Sequence, residues 1–179
     1  TNWSACSPLP NGWLWASCPA QPAPPPPSHV PGDFTDDGCP DLYARLRING
    51  ALHLFLGNCF GSFTPNGGIF IGDGWGAFDF LLTVADVSGD GCPDIYARQR
   101  RDGSLWLFHG NCSGGFTPNG GIFIGDGWGA FDFLVAPGDA SGDGCPDMYA
   151  RAREDGSLYL FHGNCFGSFT PNGGIFIGT

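Results

Sequence analysis

The sequence contains no lysine and only one methionine and one glutamate. Seven arginines face sixteen aspartates and that single glutamate, for a formal charge of -10. A chain so poor in basic residues has no electrostatic footprint for nucleic acid or for an anionic membrane surface, and neither is expected as a partner. No run approaches the eighteen or more apolar residues that a bilayer-crossing helix requires. The first residues carry no basic-then-apolar leader, the state expected of a processed secretory chain. There is no C-x-x-C pair, and the four histidines (His29, His53, His109, His162) do not flank the cysteines at finger-like distances, which argues against zinc. No once-only set of nucleophile, base and oxyanion donors is present either, so an enzyme is not expected.

What the chain does contain is repetition. Three acidic loops recur every 53 residues: Asp33-Phe-Thr-Asp-Asp-Gly-Cys-Pro-Asp41, Asp86-Val-Ser-Gly-Asp-Gly-Cys-Pro-Asp94 and Asp139-Ala-Ser-Gly-Asp-Gly-Cys-Pro-Asp147. Each places carboxylates at loop positions one, five and nine, a hydroxyl at three, and a glycine at six where the chain must turn sharply. An all-oxygen donor set of this kind suits a hard cation, calcium above all, at about one ion per repeat. Three divalent ions would bring the formal charge to -4. Self-similarity at such a period marks stacked units rather than a one-core enzyme.

The eight cysteines fall into a plain pattern: Cys6 and Cys18, then, on the 53-residue period, Cys39/Cys59, Cys92/Cys112 and Cys145/Cys165, each of these three pairs twenty residues apart. The repeat singles out one pairing per unit, so disulfides Cys6–Cys18, Cys39–Cys59, Cys92–Cys112 and Cys145–Cys165 are expected, and with them an oxidising, extracellular compartment. Two sequons, at Asn2 and Asn111, would permit glycosylation in a eukaryotic secretory path.

The expected organisation is a Trp-rich, Cys-clipped hairpin over 1–18, a polyproline spacer over 19–31 holding seven prolines, and units over 32–71, 72–124 and 125–179. In the middle unit four strand-like runs, Phe78 to Ala85, Asp94 to Arg100, Leu105 to His109 and Gly121 to Ile124, are separated by turn signals, with Asp102-Gly103 a favoured hairpin pair. That is the content of a propeller blade. The expected fold is therefore all-β: three four-stranded antiparallel blades of propeller type. Unit 1 lacks the leader Phe-Asp-Phe-Leu that the other two possess.

The series Gly-Trp-Gly-Ala-Phe-Asp, Gly-Asp-Gly-Cys-Pro-Asp and Ser-Leu-Trp-Leu-Phe-His-Gly-Asn, over residues 32 to 178, resembles the FG-GAP/VCBS repeats of integrin-like calcium-binding propellers. The resemblance implies calcium ligands Asp33, Thr35, Asp37 and Asp41 in the first loop, Asp86, Ser88, Asp90 and Asp94 in the second, and Asp139, Ser141, Asp143 and Asp147 in the third. Main-chain oxygens of Cys39, Cys92 and Cys145 would complete each site. An EF-hand is ruled out by alanine at loop position twelve (Ala44, Ala97, Ala150), where a bidentate glutamate is needed.

Three repeats are too few to close a propeller, and an arc of three would leave an apolar sheet face at each end. Two functions fit. One is a structural subunit that assembles with itself head to tail, as a filament or a closed ring. The other is a carbohydrate-binding, lectin-like or adhesion module, including the case of a piece of a larger seven-bladed protein. Trp75 beside Asp73 and Trp128 beside Asp126 are its candidate glycan contacts.

Overall fold

The computed structural model describes residues 32–65, 67–118, 120–171 and 173–179. The expected hairpin over 1–18 with Cys6, Cys18 and Asn2, and the spacer over 19–31, lie outside the described residues.

The described residues form eleven strands in three antiparallel sheets. Unit 1 holds β1 (Leu42–Arg45), β2 (Leu52–Phe55) and β3 (Ile69–Gly72). Unit 2 holds β4 (Phe78–Thr83), β5 (Ile95–Gln99), β6 (Leu105–Phe108) and β7 (Ile122–Gly125). Unit 3 holds β8 (Phe131–Gly138), β9 (Asp147–Ala152), β10 (Leu158–Phe161) and β11 (Ile175–Gly178). Each sheet is a meander in sequence order. Apolar, β-branched and aromatic runs four to eight residues long, punctuated by glycine-containing turns, give this architecture directly. Among the described residues no helix is long and apolar enough to cross a membrane.

The expectation of three four-stranded propeller blades is corrected on two counts. Among the described residues the first sheet has three strands, and no sheet closes with the others into a barrel or propeller. The residues one period before β4 read Pro25-Pro-Pro-Ser-His-Val30. Three of those six are prolines, with no amide to donate to a ladder, and the Phe-Asp-Phe-Leu sequence that opens units 2 and 3 has no counterpart there. Among the described residues β1 pairs only with β2.

The core lies between sheets. Val84, Val87, Tyr96, Leu105 and Leu107 from unit 2 pack with Trp128, Leu134, Met148 and Ala150 from unit 3, and Leu52 of unit 1 packs with Trp75 and Ala97 of unit 2. Ile95, Tyr96, Ala97 and Arg98 are all buried, so β5 is covered on both faces.

Two short 3-10 turns, Trp75–Ala77 and Trp128–Ala130, open units 2 and 3. Each is entered through a left-handed glycine, Gly74 at φ 88° and Gly127 at φ 87°. A side chain there would be strained, which is why the leader reads Gly-Trp. The turn drives its tryptophan inward. Trp75 has Phe108 and Phe116 at ring distances of 4.8 and 5.1 Å, and Trp128 has Phe161 and Phe169 at 4.8 and 5.2 Å.

Candidate calcium loops and the seams between units

Each acidic loop is organised around its first and last carboxylates. In unit 2, Asp86 Oδ1 accepts from the amides of Gly89 (2.6 Å) and Asp90 (3.2 Å) and from the Ser88 hydroxyl (3.3 Å), while Oδ2 accepts from Gly91 N (2.8 Å). Asp90 Oδ1 accepts from Cys92 N at 2.9 Å. Asp94, fully buried, takes the amides of Val87 and Ser88 on Oδ2 and that of Gly110 on Oδ1. Asp139, Ser141, Asp143 and Asp147 repeat this pattern in unit 3. In unit 1, Asp33 Oδ1 accepts from the amides of Thr35 and Asp37, Asp33 Oδ2 from Gly38, and Asp41 from Phe34 N, the Thr35 hydroxyl and Gly57 N.

The electrostatics differ by position. Burial pushes the Asp94 carboxyl above its ordinary value, although the Gly110 and Val87 amides pull the other way. Asp139, exposed, is held below its ordinary value by the amides of Gly144, Gly142 and Asp143. Among the described residues no group of three or more His, Cys, Asp or Glu side chains converges as it would around a tightly held metal. The donor chemistry nonetheless fits a hard cation: the loop side chains offer oxygen alone and the cysteines are bonded to each other.

A second set of residues locks each loop to the connection after the third strand position of its unit. Disulfides join Cys39–Cys59, Cys92–Cys112 and Cys145–Cys165, with Cα separations of 5.0, 5.1 and 4.9 Å. All three stay within one unit and bridge two loops at the same end of a sheet, and they fit an oxidising compartment. Beside each bridge the amides of Gly57, Gly110 and Gly163 reach Asp41, Asp94 and Asp147 at 3.0, 3.0 and 2.9 Å. These glycines were not among the sequence candidates. A Cβ on any of them would run into the carbonyl oxygen of Pro40, Pro93 or Pro146, so the crossing is open to glycine alone. Only their recurrence every 53 residues could have flagged them.

The other candidates fall as follows. Trp75 and Trp128 are 7% and 6% exposed, with their rings spent on the aromatic clusters described above, whereas Asp73 and Asp126 are exposed. Candidate sugar contacts are therefore split between core and surface. Asn111 is exposed, and its Oδ1 accepts from the amides of Ser113 and Gly115 at 3.0 and 2.9 Å.

The units are joined by a repeated set of contacts. Between units 1 and 2, Gly114 N donates to Phe34 O (2.7 Å), Tyr43 Oη donates to Gly114 O (2.9 Å), and Arg45 donates to the carbonyls of Trp75 (3.1 Å) and Phe78. Between units 2 and 3, Gly167 N donates to Val87 O (2.5 Å), Tyr96 Oη to Gly167 O (3.1 Å), and Arg98 to the carbonyls of Trp128 (3.0 Å) and Phe131 (2.5 Å). Tyr43 stacks on Phe116 at 5.5 Å and Tyr96 on Phe169 at 5.6 Å. Burial raises both tyrosines well above their ordinary values, so they remain hydroxyl donors at any physiological pH.

A model of the FG-GAP-like repeat matches residues 33–97, from the first acidic loop through the second and into β5. No curated protein matches the chain. The chain thus carries an FG-GAP-like repeat signature on a disulfide-stabilised, all-β frame of three antiparallel sheets.

Proposed function

We propose that this chain is an extracellular, non-enzymatic structural subunit, that its acidic loops hold about three calcium ions, and that its copies associate head to tail into a filament. The observation that carries this reading is the duplicated seam: the same tyrosine, arginine, glycine and phenylalanine contacts seat unit 2 on unit 1 and unit 3 on unit 2. A contact that a chain makes twice with itself is one that it can make again with another copy, and a heterologous contact of this kind propagates unless its rotation closes.

Calcium is supported by the oxygen-only donors and by the buried, desolvated Asp94, whose charge a cation would neutralise. The burial of Trp75 and Trp128 supports the structural reading over carbohydrate binding, since neither ring lies open to a sugar.

Sedimentation velocity of the purified chain at micromolar concentration, disulfides intact, tests the proposal. In calcium the expected result is a concentration-dependent series of species larger than one chain. A compact monomer at every concentration would remove the assembly reading.

A further inference from the structure

The glycines at the seams are open or closed according to where their unit stands. Gly50 and Gly103 are buried, and a Cβ on either would lie 2.6 Å from the amide nitrogen of Gly76 or Gly129 in the following unit. Their counterpart Gly156 in unit 3 is exposed, with nothing within 4 Å. The reverse holds on the opposite face. Gly114 and Gly167 are buried against the Leu54 and Leu107 side chains of the preceding unit, whereas their counterpart Gly61 in unit 1 is exposed with nothing within 4 Å.

The rings follow the same rule. Phe116 and Phe169 are half-buried under the tyrosine of the preceding unit, whereas Phe63 is 43% exposed. Arg98 has a side chain 3% exposed, whereas that of Arg151 is 51% exposed. Unit 1 thus presents one half of the internal seam and unit 3 the other.

Resting on the head-to-tail reading, we infer that the joint between copies is the internal seam itself. Gly61 and Phe63 of one copy seat on Ala140, Tyr149 and Leu160 of the next. One period on from the observed contacts, the Gly61 amide donates to the Ala140 carbonyl, the Tyr149 hydroxyl donates to the Gly61 carbonyl, the Phe63 ring stacks on Tyr149, and Leu160 covers Gly61. The flanking stretch Gly57–Gly72 is identical to Gly163–Gly178, whose Gly167 and Phe169 already make this contact inside the chain.

The joint uses only part of the internal seam. Arg45 and Arg98 reach carbonyls of the 3-10 turns that open units 2 and 3, and the residues one period before those turns, at 22–24, read Pro-Ala-Pro in place of Trp-Gly-Ala. Arg151 keeps Asp132 as its partner, at 2.9 and 3.1 Å. The joint is therefore weaker than the seams inside the chain.

Complementary blocking tests this. Phe63→Arg damages the head and leaves the tail, and Tyr149→Arg damages the tail and leaves the head. Each alone is expected to stay monomeric in calcium, and an equal mixture is expected to give a dimer that grows no further. If both variants assemble like the unaltered chain, or if their mixture stays monomeric, this joint is wrong while head-to-tail association can stand. If the unaltered chain is itself monomeric, the underlying reading fails. Near-UV circular dichroism reports whether the arginine variants are folded. Should either not be, Tyr149→Phe decides: it keeps the ring and removes one hydrogen bond, and association about five-fold weaker is expected, with unchanged association counting against the joint.

Discussion

The amide of Gly110 donates to Oδ1 of Asp94 at 3.0 Å, tying an acidic loop to a connection sixteen residues downstream. The contact sits beside the Cys92–Cys112 bridge and depends on a glycine packed against the Pro93 carbonyl. Gly110→Ala is expected to lower stability by at least about 3 kcal/mol, the upper end for single substitutions, because backbone rather than a flexible side chain blocks the new methyl. Chemical denaturation of the two proteins measures it, and a loss near zero would mean that the crossing is looser than described.

Calcium is expected to raise the melting temperature. A ligand that binds only the folded state stabilises by RT ln(1 + [L]/Kd), about 2.7 kcal/mol per site at one hundred times Kd. Melting is compared in calcium and in chelator, then repeated with Asp90→Asn and Asp143→Asn. An unchanged melting temperature in chelator would count against calcium in these loops.

Arg98 donates to both oxygens of Asp79, at 2.9 and 2.8 Å, and this holds the Asp79 carboxyl below its ordinary 3.8. A carboxylate lowered on folding stabilises fully above its unfolded value and loses that contribution as pH falls through the folded value. Asp79→Asn is expected to cost roughly 1.5–3 kcal/mol at neutral pH, the range for hydrogen bonds to charged groups, and the difference from the unaltered chain should shrink below about pH 4. Asp132→Asn, at the same place in unit 3 but with an exposed arginine, should have a much smaller effect. Denaturation at a series of pH values tests both, and equal costs for the two would contradict the burial argument.

Each disulfide closes a loop with a sequence separation of 20, worth about 3 kcal/mol by chain entropy. Replacing Cys92 and Cys112 together by alanine should lower stability by about that amount while the other two bridges remain. Non-reducing peptide mapping should recover Cys39–Cys59, Cys92–Cys112 and Cys145–Cys165, and any bridge between units would contradict the topology.

Strand placement was legible because alternation and turn chemistry are local. Phe78 to Ala85 was expected to form a strand and β4 runs Phe78–Thr83; Leu105 to His109 was expected and β6 runs Leu105–Phe108. The period also carried the within-unit cysteine pairing, since it left each unit with one pair. Three four-stranded units were expected from the repetition of loops and turns, although unit 1 lacks the Phe-Asp-Phe-Leu leader, and among the described residues its sheet has three strands. Nor could the sequence show that Tyr43 and Tyr96 reach Gly114 and Gly167, each 71 residues away. Those contacts depend on how sheets meet, and no local pattern encodes that. Trp75 and Trp128, in glycine-rich leaders, were candidate glycan contacts, yet both rings are buried behind a turn entered through a left-handed glycine.

Confinement of every observed disulfide to its own unit has a mechanical meaning. No disulfide observed spans Tyr43–Gly114 or Tyr96–Gly167, so under tension these seams are expected to part before a bridged unit opens. A bridged stretch with a separation of 20 cannot pay out when its unit opens, which withholds roughly 70 Å of contour at about 3.5 Å per residue. A fibre of such subunits would yield at many weak joints before it lengthened much at any one, and each joint could re-form once the load was removed.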